Sequence, residues 1–392
     1  MFTRADVDAI GQLHSDRSPI ISLILRVDKE RIDEDYTIRL KNLLRRAADS
    51  LDSRYDHDQT EAVLADLDRI GAFFRDEGSQ FGQGVALYAS SPAGIWQVIE
   101  IPREIESEIS VGFEPYVAPL INVLERFTPF CTCLVSRNQG RIFYGQLGTF
   151  EELSQIVDTD VPGQHDQGGW SQARYDRHIE EHVRGHLKRV ADDLFRLFQE
   201  RPFRWLVLGG SADVIPTFIE LLHPYLRERH IGTVRTLMEA AINDVHRESR
   251  DTIERWATEE KSRAIDMVRN EALRGDRGVS GIDNTIMALQ QGQILTLVVD
   301  DTLAAPGAVC RNCRAVQPTT DATPRPCVFC EGPTELLDNV VSEIVTGAFR
   351  QSAGIVYLDT PELRDRLSDL GRIGALLRFH VASQSEPSQT TG

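Results

Sequence analysis

What the chain lacks narrows its function first. No window approaches about 18 uninterrupted apolar residues, so no membrane-spanning helix is expected. Residues 1–16, MFTRADVDAIGQLHSD, hold no apolar core of signal-peptide length, so no secretory leader is expected. Positive charge is in short supply: 43 Lys and Arg face 60 Asp and Glu, a formal net charge of −17. That balance argues against a generally basic nucleic-acid coat and a polybasic membrane anchor. RNA contact through local patches remains open. Neither a DNA nor a membrane partner is expected. Cysteine is scarce, with six in 392 residues. Cys131 and Cys133 lie two apart in one strand-like run, so they share a face and do not frame a disulfide. The other four sit in a metal-like spacing, and together the six indicate a reducing, cytoplasmic setting. The chain has no internal repeat, no serine-hydrolase elbow and no carboxylate pair at a special spacing.

What is present suits two or three domains with sizeable cores, since 41% of the 392 residues are hydrophobic. Pro19–Val27 is a β-branched apolar run and reads as a buried strand. Tyr36–Leu51 and Gln59–Asp76 have helical periods. Gly82–Ser90, Ile95–Ile101 and Glu108–Phe113 read as strands, and Pro115 and Pro119 interrupt the pattern before a boundary near Phe127. Phe130–Ser136 and Arg141–Leu147 form a hairpin around Asn138-Gln139-Gly140. A polar loop, Pro162–Gly169, precedes a long helix from about Ser171 to Gln199. Arg204–Leu208 reads as a strand, Ile215–Arg229 as a helix, and residues from about Met238 to Leu273 as long charged helices. Asn284–Gln291 is helical, Ile294–Val299 a strand, Leu336–Arg350 a helix, Ile355–Leu358 a strand, Pro361–Leu370 a helix and Arg372–Phe379 a last strand. Strand and helix signals alternate, so the fold class is α/β and α+β with a mixed sheet. The Ser/Gln/Thr-rich tail 383–392 reads as disordered.

Four segments carry chemical information. Cys310-x2-Cys313 and Cys327-x2-Cys330 offer two knuckles, each presenting two thiolates. Together they complete a tetrahedral site for structural Zn²⁺ within a ribbon over 308–333. The loop Gly168-Gly169-Trp170-Ser171-Gln172 lets backbone enter a narrow space, with Ser171 placed to cap the helix beyond it. That helix carries Arg174, Arg177, Arg184, Lys188 and Arg189 and reads as an RNA-facing element. Tyr36–Leu51 has a second basic face of Arg39, Lys41, Arg45 and Arg46. His178, His182 and His186 recur every four residues, which suggests a solvated or RNA-facing stripe; their order does not match the zinc-protease HExxH. Leu206–Asp213, LVLGGSAD, lacks the P-loop lysine and the third dinucleotide glycine, so it reads as an ordinary strand–helix turn.

In order along the chain, these segments resemble a bacterial branch of the archaeal and eukaryotic class-1 peptide-chain release factors and their relative Pelota, a broader family to which the hibernation factor Balon also belongs. PIISLIL, GVALYAS and VGFEPYVAPL are similar to the family's first domain. CLVSRNQGRIFYGQLGT, GGWSQARYDRHIEEH and LVLGGSAD are similar to its middle domain. GIDNTIMALQQGQI, the four-Cys insertion and GRIGALLRF resemble its third. The resemblance implies a three-domain architecture, 1–127, 128–237 and 238–382, with the zinc ribbon set into the third. It implies a ribosomal A-site ligand contacting rRNA and P-site peptidyl-tRNA, with a translational GTPase such as elongation factor Tu as a further partner. In release factors a Gly-Gly-Gln loop positions the hydrolytic water. Gly168 and Gly169 match the glycines, Trp170 stands at the glutamine position, and Gln172 lies two residues on. The Asn-Ile-Lys-Ser stop-codon motif is missing near Tyr36–Lys41, and no Tyr-x-Cys-x-x-x-Phe element is found, so codon-independent release or rescue is expected. The alternatives are a non-catalytic hibernation or rescue factor occupying the A site, and a zinc-ribbon RNA-binding protein not tied to the ribosome.

Charge divides unevenly over these expected domains. Residues 1–127 carry −9, residues 128–237 carry −1 and the remainder −7, so the middle part is least repelled by polyanions.

Overall fold

In the computed structural model, which describes residues 2–15, 17–27, 36–51, 55–101, 105–146, 148–158, 172–319 and 323–379, apolar runs become central strands and amphipathic periods become the helices that cover them. The chain packs as two compact units: residues 1–125 with 261–392, and residues 126–260. Among the described residues the architecture is mixed α/β, with three main sheets and a three-stranded ribbon inserted between two strands of the last. Among the described residues no helix is long and apolar enough to cross a membrane.

In the first unit, Ile20–Arg26 runs antiparallel to Gly84–Ser90 on one side and Glu108–Gly112 on the other, with Ile95–Ile101 beyond Gly84–Ser90. Its first six residues are all buried, as a run without polar alternation requires. Helices Tyr36–Asp49 and His57–Glu77 cover one face, where Leu23, Leu87, Leu43, Ile70 and Phe74 share a core. Each side chain buried this completely contributes ~1.5–3 kcal/mol, so sheet and helices stabilise one another.

The second sheet of this unit is ordered Gly278–Ser280, Ile373–Leu377, Ile294–Asp300, Gly354–Leu358. Its last two strands are parallel, so a crossover must join them. That connection holds the helix Val341–Arg350 and, before it, the ribbon strands Gly307–Cys310, Val316–Pro318 and Thr334–Leu337.

The second unit is built on a five-stranded sheet, Thr149–Val157, Gln139–Gln146, Phe130–Val135, Trp205–Gly210 and His230–Thr233. Phe130–Val135 is antiparallel to the hairpin strand and parallel to Trp205–Gly210. Alternation along it sorts two cores. Cys131, Cys133 and Val135 pack with Leu187, Val190 and Leu194 of the helix Gln172–Glu200. Leu134 packs with Phe143, Val207, Val245 and Ile253. Thr132, buried on the second face, donates to Ser249 Oγ at 2.8 Å, so its hydroxyl is satisfied. Burial pushes the Cys133 thiol up to about 12 and Cys131 well above the usual thiol range, so both act as small apolar groups.

The structure departs from the sequence reading in several places. The middle unit runs to Glu260 rather than ending at residue 237, because the first part of the helix Ile242–Arg274 supplies Val245 and Ile253 to the middle core. The strand Thr149–Val157 was not foreseen. It is an edge strand of exposed and half-buried residues, so its hydrophobic alternation is weak. The expected helix Ile215–Arg229 splits into Ile215–Leu221 and Pro224–Arg227, since Pro224 lacks an N–H and forces the preceding residue out of helical geometry. The expected helix Leu336–Arg350 starts only at Val341, because Thr334–Leu337 pairs with Gly307–Cys310. Pro119 does not interrupt helix formation; it sits in the first turn of Ala118–Arg126, where a missing N–H costs nothing.

Candidate functional site

The four-Cys ribbon is the best-defined site. All four sulfurs lie within 4.8 Å of one another. Cys310 Sγ is 3.4 Å from Cys330 Sγ, and Cys313 Sγ is 3.6 Å from Cys327 Sγ. The two knuckles repeat the same backbone bonds. Cys310 N donates to Ala315 O, as Cys327 N does to Gly332 O; Arg314 N donates to Cys310 O, as Glu331 N does to Cys327 O. Asn312 N points at Cys310 Sγ and Phe329 N at Cys327 Sγ, both at 3.4 Å. Arg314 and Glu331, each directly after the second Cys of its pair, both take φ 58°. That left-handed residue closes the knuckle, and a non-glycine residue adopts it only under constraint. For Cys310, burial disfavours the thiolate, but N–H groups of Cys313 and Asn312 outweigh it and lower the pKa to about 7. Four matched thiol donors with N–H groups aimed at sulfur fit a tetrahedral thiolate-bound cation such as Zn²⁺.

The long helix Gln172–Glu200 belongs to the second unit. Gly168, Gly169, Trp170 and Ser171 lie outside the described residues, as does the whole of the loop Pro162–Gly169. Gln172, Arg174 and Arg177 fall in the first turns of the helix, but their side chains lie outside the description. Further along, Arg184, Lys188 and Arg189 are exposed. Their circumstances differ. Arg189 Nη2 binds Asp158 Oδ2, whose side chain is 10% exposed. Arg184 and Lys188, one turn apart, have no ion-pair partner among the described residues. They are the cations on this stretch best placed for an external phosphate.

The histidine stripe does not stay on the surface. A step of four residues advances about 40° around a helix, so the stripe rotates toward the core as it descends. His186 is fully buried, with Nδ1 3.8 Å from Asp158 Oδ2. Burial lowers its pKa, which keeps the ring neutral at neutral pH. The reading of a solvated face is therefore corrected at His186.

On the helix Tyr36–Asp49, Lys41, Arg45 and Arg46 are exposed while Arg39 is half-buried. Arg39 Nη1 donates to Arg26 O at 3.0 Å, tying its helix to the central strand. Ile38 is 63% exposed on the same helix. At the turn LVLGGSAD, packing accounts for the glycines. A Cβ on Gly209 would lie 2.6 Å from Leu134 Cδ2, and one on Gly210 (φ 99°) 2.2 Å from Val135 O. Arg137 there pairs with Asp213 at 2.9 Å.

Sequence reasoning missed Asp158, which no motif marks, and Glu114, which gathers His14, Arg314 and Arg350 from distant parts of the chain. It also passed over Arg311 and Arg314, whose positions inside and directly after the first Cys-x2-Cys were the available signal.

Comparison with known proteins bears on these elements together. Residues 115–260 match the model of Bacterial archaeo-eukaryotic release factor family 10. Peptide chain release factor subunit 1 of Methanobrevibacter smithii is 23% identical over 293 residues, 68% of this chain and 69% of that protein. The same-named protein of Pyrococcus abyssi is 24% identical over 296 residues, 67% of this chain and 69% of that one. Among solved structures, an archaeal translation termination factor aligns over 96% of both chains at 15% identity, with a TM-score of 0.27. Over residues 115–260 the chain is thus similar to the bacterial branch of the archaeal and eukaryotic release factor family.

Proposed function

We propose that this protein is a cytoplasmic translation factor that enters the ribosomal A site and promotes hydrolysis of P-site peptidyl-tRNA without reading a codon. The observation that carries this reading is the family match over residues 115–260. That stretch contains Gly168, Gly169, Gln172 and the exposed pair Arg184 and Lys188. In this reading the loop backbone N–H groups and the Gln172 amide orient a water molecule and stabilise the oxyanion that develops on the ester carbonyl, so no protein acid or base of unusual strength is needed. Arg184, Lys188, Lys41, Arg45 and Arg46 contact rRNA phosphates, and Trp170, Ser171, Arg174 and Arg177 are further RNA contacts in this reading. Zn²⁺ on Cys310, Cys313, Cys327 and Cys330 is structural, because four thiolates leave no open coordination position. A translational GTPase such as elongation factor Tu is the proposed delivery partner.

A second reading has its own support: Trp170 occupies the position of the release-factor glutamine, and the decoding motif is missing. It makes the protein a non-catalytic occupant of the A site in hibernation or rescue. Peptide release from ribosomes loaded with P-site peptidyl-tRNA separates the two. The first reading expects release that falls at least ~100-fold in Gly169→Ala and Gln172→Ala, the scale of losing one oxyanion donor. Release unchanged in both variants refutes it. Ribosome binding without release establishes the second.

A further inference from the structure

Residues 1–125 and 261–392 pack into one unit along a seam, and the thiol ribbon lies in that seam. Glu114 follows the edge strand Glu108–Gly112, and its carboxylate side chain is 13% exposed. Three nitrogen donors converge on it from separate parts of the chain: His14 Nδ1 at 2.7 Å, Arg314 Nε at 3.0 Å and Arg350 Nη2 at 3.1 Å. Arg350 also donates to Gly11 O at 2.7 Å, at the end of the first helix. Arg311 lies over the Phe113 ring, 4.1 Å from its centroid. The Tyr55 hydroxyl lies 2.9 Å from Val111 O and 3.2 Å from Glu335 Oε1, so it shares its proton between the first sheet and the ribbon.

The ribbon's side of this seam comes from its first knuckle. Arg311 follows Cys310, and Arg314 follows Cys313. Cys310 itself lines a cavity of about 50 Å³ together with His14, Phe113, Glu114 and Glu335. The direction of both arginines is therefore set by closure of the knuckle, including the left-handed Arg314. Four sulfurs within 4.8 Å of one another can share a single cation, which would lock both pairs into one geometry.

We propose that the ribbon is a metal-dependent clasp. With Zn²⁺ bound, the first knuckle holds Arg314 on Glu114 and Arg311 on Phe113, fixing residues 1–125 to 261–392. Without it, the seam opens while the second unit stays folded. This rests on the reading of the four cysteines as a metal site and extends it from local stability to the placing of the first sheet.

Amide hydrogen exchange on the full chain, with Zn²⁺ or with chelator, tests the clasp alongside zinc stoichiometry. Chelation is expected to raise exchange ~100-fold or more in Glu108–Gly112 and Arg4–Gly11 as well as in the ribbon, and to leave Phe130–Val135 unchanged. Glu114→Gln is expected to loosen the same two segments while still binding one zinc per chain. Val328→Ser, 74% exposed at the tip of the second knuckle, is expected to change neither. Zinc bound at one per chain with exchange altered only in the ribbon overturns the clasp. So does a Val328→Ser that loosens the seam as much as Glu114→Gln. Failure to bind zinc overturns the metal reading itself, and the clasp with it.

Discussion

The exposed cations of the long helix give a graded test of RNA contact. Arg184 and Lys188 have no ion-pair partner among the described residues, so each is free to neutralise a phosphate. Arg189 is equally exposed but already engaged by Asp158. Counterion release makes log K fall with log salt by ~0.7–0.9 per phosphate contacted. The double variant Arg184→Ala/Lys188→Ala should therefore lower the magnitude of the salt slope of ribosome binding by ~1.4–1.8. Arg189→Ala should change the slope by less than half of one contact. Its cost falls on folding instead, because Asp158 is 10% exposed and loses its cation; an ion pair open on one side is worth ~1 kcal/mol. The assay is binding to purified ribosomes by sedimentation across a salt series, with urea unfolding of each variant in parallel. An unchanged slope in the double variant, or a loss in Arg189→Ala as large as in Lys188→Ala, would refute the assignment of free and engaged cations.

Two further predictions concern stability. Gly210→Ala places a Cβ 2.2 Å from Val135 O at φ 99°, so urea unfolding should show a loss of ~3 kcal/mol or more; a loss under 1 kcal/mol would mean the turn relaxes freely. Burial of Glu108, opposed by a hydrogen bond from Tyr116, raises its pKa from 4.5 to about 7. The folded state then holds a proton that the unfolded state has released, so stability is full below pH 4.5 and declines up to about pH 7. That decline is at most ~3 kcal/mol for this group, and Glu108→Gln should flatten it in thermal melts between pH 5 and 8, where an identical pH profile would remove Glu108 as its source.

Much of the molecule follows from local pattern. The run Ile20–Arg26, the hairpin around Asn138–Gly140 and the two Cys pairs depend on neighbours within a few residues, so the sequence displays them directly. The first helix, Arg4–Gly11, was equally available through its capping box: Thr3 and Asp6 exchange hydrogen bonds, with Thr3 N donating to Asp6 Oδ2 at 2.7 Å. Other features depend on distant partners. Arg189 looks like any helix cation until Asp158, 31 residues earlier, is placed beside it. Glu114 looks like a loop carboxylate until Arg350, 236 residues later, reaches it. His186 looks exposed until the drift of its helix turns it inward. The family resemblance was legible because it rests on the order of several short segments, whereas the loop chemistry at Gly168–Gln172 depends on local geometry that spacing alone does not specify.

The central claim is occupation of the ribosomal A site. Its most direct measurement is binding of the purified protein to ribosomes whose A site is either vacant or filled with aminoacyl-tRNA. The account predicts binding to the vacant complex, loss of binding when tRNA fills the site, and weaker binding in Arg184→Ala/Lys188→Ala. Equal binding to both complexes, or none to either, would contradict it.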